Sequence, residues 1–141
     1  VDDRIKSDAQ IIVARSAIKT NDEAKAKEAY AKLQKIAKGE LAAEALYYDA
    51  YFKNKEGKFE PSNVVVQKIA QDYSGYKYYG AKSLVIMAKN FYGLKDSFQA
   101  TYILESVIEN FKEYTDVIEE AQKELDFIKG EEAKRNSSIT N

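Results

Sequence analysis

The side chains best suited to acid–base chemistry in this chain are three glutamates near its C-terminal end, Glu119, Glu120 and Glu124. Paired carboxylates can act as general acid and base, but these three surround Lys123 on one predicted helix, and such a charged face is typical of solvent exposure. The 141 residues include neither histidine nor cysteine, so the commonest general base, the thiolate nucleophile and the usual zinc ligands are missing. We therefore expect no catalytic residue, no metal site and no cofactor.

Two further features bear on ligand binding. Gly75 and Gly80 flank Tyr76, Tyr78 and Tyr79 without the spacing of a phosphate-binding loop, and we expect these tyrosines to pack in a turn. The formal net charge is −1, which provides no strong positive field to collect nucleic acid or an anionic membrane surface. We expect no nucleic-acid partner. Because no apolar stretch approaches the length of a bilayer span, we also expect no membrane insertion.

Hydrophobic residues recur at helical spacing throughout the chain and predict seven helices and no strand. The first helix is predicted over about residues 3–19, the third over 41–55, the fifth over 77–92 and the last over 115–130. The remaining three helices fall between these. The elements that position any functional side chain are therefore predicted to be helical.

Capping residues and glycines mark the predicted helix ends. Thr20 with Glu23 predicts a capping box before the second helix, and Asp96 is placed to cap the sixth. Gly130 is expected to end the last helix, because glycine commonly follows the final turn. We interpret the polar residues 131–141 as a flexible tail.

Small residues recur along these helices at a nearly fixed offset. Each is followed twelve residues later by a second small residue, then by a large one four positions on and an aliphatic one three further. The four positions are Ala14, Ala50 and Ala88; Ala26, Ser62 and Ala100; Tyr30, Val66 and Leu104; and Leu33, Ile69 and Val107. Small side chains let two helices cross closely, so the pattern predicts stacked helical hairpins. An ordinary helical bundle is the alternative.

This pattern resembles the tetratricopeptide repeat family. The match is best in residues 81–114, and residues 7–40 and 43–76 form two further units; the best unit matches at Leu84, Met87, Ala88, Phe91, Ala100, Leu104 and Val107. The resemblance implies an all-α, right-handed α-solenoid of about three helix-turn-helix repeats. It also implies a single domain over residues 1–130, in which residues 115–130 form the capping helix. The lengthened repeats are similar to those of envelope-associated bacterial proteins, which favours the periplasm or cell envelope over the cytoplasm.

The resemblance further implies a non-enzymatic scaffold that binds an extended segment of a protein or peptide in a concave groove. The family's ligand-facing positions correspond to Arg15, Ile18, Tyr47, Tyr51, Asn54, Lys55, Lys82, Val85, Lys89 and Tyr92. This set is basic and aromatic with few acids, so the resemblance implies a partner with acidic and apolar side chains. The alternative is that the tyrosines pack between helices and the lysines extend into water. The chain would then be a structural or self-association module of a longer multi-domain protein.

Asp49 and Lys53 depart from the family pattern, since they fall where apolar side chains are usually buried. We expect an i,i+4 ion pair at a partly open edge, with burial of Tyr48 instead. A role in binding is the alternative.

The first helix carries more apolar surface than one hairpin contact requires. Its isoleucines are Ile5, Ile11, Ile12 and Ile18. We expect either that further residues precede Val1 or that this end of the molecule pairs with a second copy as a homo-oligomer.

Overall fold

The computed structural model describes residues 2–140, which are helical apart from short connections. In this part of the chain the seven helices are α1 Asp3–Lys19, α2 Glu23–Ile36, α3 Glu40–Lys55, α4 Phe59–Asp72, α5 Lys77–Gly93, α6 Ser97–Asn110 and α7 Thr115–Thr140. The prediction of an all-α fold is confirmed. None of these helices combines the length and the apolar character needed to cross a membrane. Val1, the first residue of the predicted domain, and Asn141, the last of the predicted tail, lie outside the described residues.

Each helix packs against the next one in the chain, and contacts also connect the successive odd-numbered helices from α3 to α7. The pairs α1–α2, α3–α4 and α5–α6 form hairpins, and α2, α4 and α6 also pack against the helix that follows them. In addition, α3 contacts α5, and α5 contacts α7. We call α1, α3, α5 and α7 the odd-helix row.

The small residues predicted at helix crossings are all buried. Ala14, Ala50 and Ala88 have no exposed surface, and neither do Ala26, Ser62 and Ala100. In the second hairpin the hydroxyl of Ser62 donates a 2.8 Å hydrogen bond to the carbonyl oxygen of Ala50, so these two positions face each other. The large and aliphatic positions of the pattern are also buried, at 2% exposure or less. Burial at every repeated position accounts for the spacing in the sequence.

A buried polar network joins the second and third hairpins around Asn90. The amide nitrogen of Asn90 donates to the Ser62 hydroxyl and to the Asn63 side-chain oxygen, both at 2.8 Å. Its side-chain oxygen accepts a 2.8 Å bond from the amide of Asn54. Because every functional group of Asn90 is hydrogen-bonded, the network fixes α5 against α3 and α4 without an unsatisfied buried group.

Gly93 allows an aromatic ring to approach the backbone of α5. A Cβ atom at this position would lie 2.5 Å from ring carbons of Phe59, the first residue of α4. Since nonbonded carbon atoms do not approach so closely, only glycine fits here while Phe59 keeps its place.

The predicted end of the last helix is wrong. Helix α7 continues through Gly130 to Thr140, so residues 131–140 of the predicted flexible tail are helical. An exposed glycine inside a helix costs only about 1 kcal/mol, which neighbouring interactions can offset. Two ion pairs lie in this segment, and in each the partners are about one helical turn apart. They are Glu131 with Lys134 at 3.7 Å and Glu132 with Arg135 at 3.4 Å.

The predicted capping box before α2 is also wrong. The residue that caps α2 is Asp22, whose carboxylate accepts a 3.2 Å hydrogen bond from the backbone N–H of Lys25. The hydroxyl of Thr20 instead donates to the carbonyl oxygen of Ser16 at the end of α1. At α6 the predicted cap is confirmed, because the Asp96 carboxylate accepts from a backbone N–H in the first turn.

Replacing Ala100 with leucine is expected to lower the free energy of unfolding by about 1 to 3 kcal/mol, as overpacking usually does. Ala100 has no exposed surface, so the larger side chain must separate α5 from α6. Denaturant unfolding measures the change. The control is Ala31→Leu at an exposed position of α2, where we expect a change within about 0.5 kcal/mol. Equal stability of the two variants would show that Ala100 does not lie at a tight crossing.

Candidate functional site

A buried carboxylate lies between the first and second hairpins and the start of the third. Glu44 of α3 is only 3% exposed. Arg15 of α1 donates to both of its oxygens, from Nη2 to Oε1 at 2.6 Å and from Nε to Oε2 at 3.1 Å. The hydroxyl of Tyr30 in α2 donates to Oε2 at 2.7 Å, and that of Tyr79 in α5 donates to Oε1 at 2.9 Å. We call these four residues the Glu44 cluster.

Hydrogen bonding keeps Glu44 ionised in spite of its burial. Burial is the largest influence on this group and by itself raises the pKa of Glu44, but the hydrogen bonds from Arg15, Tyr30 and Tyr79 together hold that pKa below its ordinary value. The bond to Glu44 raises the pKa of Arg15, and burial followed by the bond to Glu44 raises the pKa of Tyr30. Near neutral pH the cluster therefore contains a carboxylate, a guanidinium group and two neutral phenols.

The Glu44 cluster can donate further hydrogen bonds but cannot accept more at its carboxylate. Each oxygen of Glu44 already accepts two hydrogen bonds, which uses its lone pairs. The side chain of Arg15 is 58% exposed and keeps N–H groups on its outer edge. This edge faces an open pocket of about 590 Å³, lined by Ile12, Arg15, Ser16, Ile18, Lys19, Tyr30, Glu44 and Tyr48. A ligand in the pocket therefore meets donors from Arg15 and Lys19 beside apolar walls.

Aromatic rings extend from this pocket along the odd-helix row. Tyr48 stacks on Tyr30 with ring centroids 4.2 Å apart, and it meets the edges of Tyr47 and Tyr51. Tyr47 in turn lies 6.3 Å from the ring of Tyr79 in α5. The rings thus form a layer that connects α2, α3 and α5.

Lys82 has no carboxylate partner among the side chains that the structure describes. Its ammonium nitrogen lies 4.8 Å from the ring centroid of Tyr47 and 5.6 Å from that of Tyr78. Both distances are typical of cation–π contacts.

The other lysines of the predicted groove are paired within the molecule. Lys89 lies 3.4 Å from the carboxylate of Glu120 in α7. Lys55 forms an ion pair with Glu23 in α2, and its pKa is raised first by that hydrogen bond and then by one to Tyr51. These two lysines thus have internal partners, which Lys82 lacks.

Several predicted ligand-facing residues instead contact other residues within the chain. Tyr47 is 3% exposed and Val85 is completely buried, which corrects the expectation that they face a ligand. Both side chains pack between helices, because neighbouring helices of the odd-helix row lie close enough together to cover them. The amide of Asn54 donates to Asn90, and the half-buried Tyr92 meets the ring edge of Phe127 at 6.2 Å.

Acidic side chains from other positions lie beside the predicted ligand-facing set. Glu44 comes from α3, and α7 adds Glu120 beside Lys89 and Asp116 beside the hydroxyl of Tyr78. Of the C-terminal glutamates predicted on one solvated face, Glu119 is exposed, and the partly exposed Glu120 reaches Lys89 of α5. Within the described residues no three acidic side chains are grouped to hold a metal ion.

The predicted ion pair between Asp49 and Lys53 is confirmed. The two side chains line a small pocket of about 130 Å³ against α2, next to Tyr30 and Phe52. They therefore lie at the junction of α2 and α3.

Sequence reasoning does not single out Glu44. The available signal is its place in the apolar stretch Ala42–Leu46, since a lone charge that becomes buried there needs partners. Nothing in the spacing identifies Arg15, 29 residues earlier, as one of those partners.

No family model matches the chain, and no curated protein or solved structure is found to be similar to it. The resemblance to tetratricopeptide repeats therefore stays a prediction from the spacing of residues. The function has to be inferred from the geometry of the odd-helix row.

We expect the lowered pKa of Glu44 to make folding stability sensitive to acid. A carboxylate whose pKa is lower in the folded than in the unfolded state contributes stability above its unfolded value, about 4.3, and loses that contribution as the pH falls through the folded value. The variant Glu44→Gln lacks this pH-dependent contribution to stability, and we expect its free energy of unfolding near neutral pH to be lower by about 2 kcal/mol. Urea unfolding across the acidic pH range measures both effects.

The control is Glu109→Gln, at an exposed position of α6. This variant should follow the pH dependence of the unaltered chain. If Glu44→Gln follows it equally well, the carboxylate does not have the lowered pKa.

Proposed function

We propose that the chain is a non-enzymatic protein-interaction scaffold of the tetratricopeptide type, a right-handed α-solenoid of about three repeats with α7 as the closing helix. The odd-helix row is its concave surface, which binds an extended segment carrying acidic and apolar side chains. Burial of the small residues at every predicted crossing supports the repeat arrangement. The contacts from α3 to α5 and from α5 to α7 support a continuous binding surface.

The observation that carries this proposal is the position of Lys82. Its ammonium group lies on two tyrosine rings in the odd-helix row and forms no ion pair with a carboxylate among the described residues. A cation held in this way keeps N–H donors for an acidic group of a partner, while the partly exposed ring of Tyr78 beside it accepts an apolar side chain. Lys55 and Lys89 contribute less, because Glu23 and Glu120 already pair with them.

The pocket beside the Glu44 cluster supplies a second point of attachment. Arg15 and Lys19 offer hydrogen-bond donors there, and Ile18 and Tyr48 offer apolar contact. Because Glu44 accepts no further bond, the pocket selects a group that accepts hydrogen bonds. An extended segment that carries both acidic and apolar side chains at every second position fits both points, since side chains two residues apart lie on one face.

Charge along the odd-helix row determines over which helices the acidic side chains of the partner lie. Arg15, Lys19 and Lys82 lie on α1 and α5, whereas Asp116 and Glu120 lie on α7. The acidic side chains of the partner therefore lie over α1 to α5 and not over α7, since like charges in contact are costly.

Selection of a displayed-peptide library against the whole chain tests this proposal. We expect enrichment of segments that combine Asp or Glu with apolar residues. A synthetic peptide from that selection should bind Lys82→Gln about tenfold more weakly, as the loss of one charge-assisted hydrogen bond predicts. Isothermal titration calorimetry measures the affinities.

Lys68→Gln is the matched control, since it removes the same charge from an exposed position on α4, outside the odd-helix row. Its affinity for the peptide should equal that of the unaltered chain, and both variants should keep the original melting temperature. The proposal is contradicted if the two variants bind equally well, or if the selection enriches no acidic segment.

A further inference from the structure

We propose that α1 pairs with α1 of a second copy of this chain in antiparallel orientation. This interaction goes beyond peptide binding and competes with it at the pocket beside the Glu44 cluster, since Ile12 and Ser16 line that pocket. The surface involved is the outer α1 stripe, defined as Ile5, Ala9, Ile12 and Ser16. Ile5 and Ile12 are 62% and 69% exposed. The opposite face of α1, formed by Ser7, Ile11, Ala14 and Ala17, is buried. Helix α1 is thus apolar on two faces, and only one of them is covered within the chain.

Large and small side chains alternate along the outer α1 stripe. When a second copy runs antiparallel with the two-fold axis between residues 10 and 11, Ile5 lies opposite Ser16 of the other copy, and Ile12 lies opposite Ala9. Each isoleucine then packs against a small side chain, which is how helix surfaces interdigitate at close distance. In a parallel pair the isoleucines would oppose each other and hold the helices apart.

The charges along α1 favour the same orientation. The charged residues are Asp2, Asp3, Arg4, Lys6 and Asp8 near the start of the helix and Arg15 and Lys19 near its end. The start has one more acid than base, whereas the end carries only the bases Arg15, which pairs with Glu44, and Lys19. Antiparallel pairing brings unlike ends together and also opposes the helix dipoles.

The symmetry of the interface determines how many copies associate, and its area determines how strongly they do so. The same stripe is used by both copies, so the interface closes as a dimer and does not propagate. One helix face per copy buries less than the roughly 800 Å² per partner of typical stable complexes. The dimer is therefore weak and forms at high protein concentration.

Sedimentation equilibrium of the whole chain over a wide concentration range tests the pairing. We expect a monomer–dimer equilibrium that Ile5→Lys weakens at least about tenfold, because the substitution places a charge against the other copy. The control is Val64→Lys on α4, since Val64 is 64% exposed and lies outside the stripe. It should leave the dimer unchanged. A monomer at every concentration, or equal effects of the two substitutions, overturns the proposal.

The lack of cysteine in the sequence allows the orientation to be measured with single introduced thiols. In the antiparallel pair the two copies of residue 9 are offset by about 4.5 Å along the helix axis, and those of residue 16 by about 16.5 Å. A short bis-maleimide linker should therefore join two Ala9→Cys chains but not two Ser16→Cys chains. If both variants are joined at similar rates, the antiparallel arrangement is wrong.

Discussion

The buried carboxylate of Glu44 is the constraint on which the placement of α1, α2 and α5 around α3 depends. An ionised group removed from water costs several kcal/mol unless donors surround it. Here the donors are Arg15, Tyr30 and Tyr79, each from a different helix. Moving any one of these helices would leave part of the charge unsatisfied. A single electrostatic requirement thereby fixes both the exposed edge of Arg15 and the tyrosine layer beside it.

Several charged and polar groups along the predicted groove of the odd-helix row satisfy one another, whereas Lys82 has no ion-pair partner in the part of the chain that the structure describes. Asn54 bonds to Asn90, and Lys89 pairs with Glu120. A surface that only joined helices together would be expected to neutralise its cations in this way. Lys82, which is held on aromatic rings without a counter-ion, departs from that expectation. Departures of this kind are commonly found at binding sites, because such groups are completed by a ligand.

The helices and their crossings could be predicted from the sequence because they depend on local periodicity. The small residue at position 100 marks a buried crossing, since only a close backbone approach requires it there. The prediction that the last helix ends at Gly130 fails because an exposed glycine within a helix costs little free energy, and neighbouring ion pairs can offset that cost. The partners of Glu44 and the burial of Tyr47 could not be predicted, since both depend on how distant helices pack and not on spacing within one helix.

Hydrogen bonds to Glu44 also connect parts of the chain that are far apart in sequence. The bond to Tyr79 spans 35 residues, and the bonds to Arg15 span 29. In stacked hairpins held only by nearest-neighbour contacts, a terminal hairpin can open while the rest stays folded. Here the opening of α1 would remove Arg15 from the buried carboxylate of Glu44, which is also bonded to Tyr79 of α5. The carboxylate thus makes unfolding more cooperative, because loss of the first hairpin weakens the packing of the third.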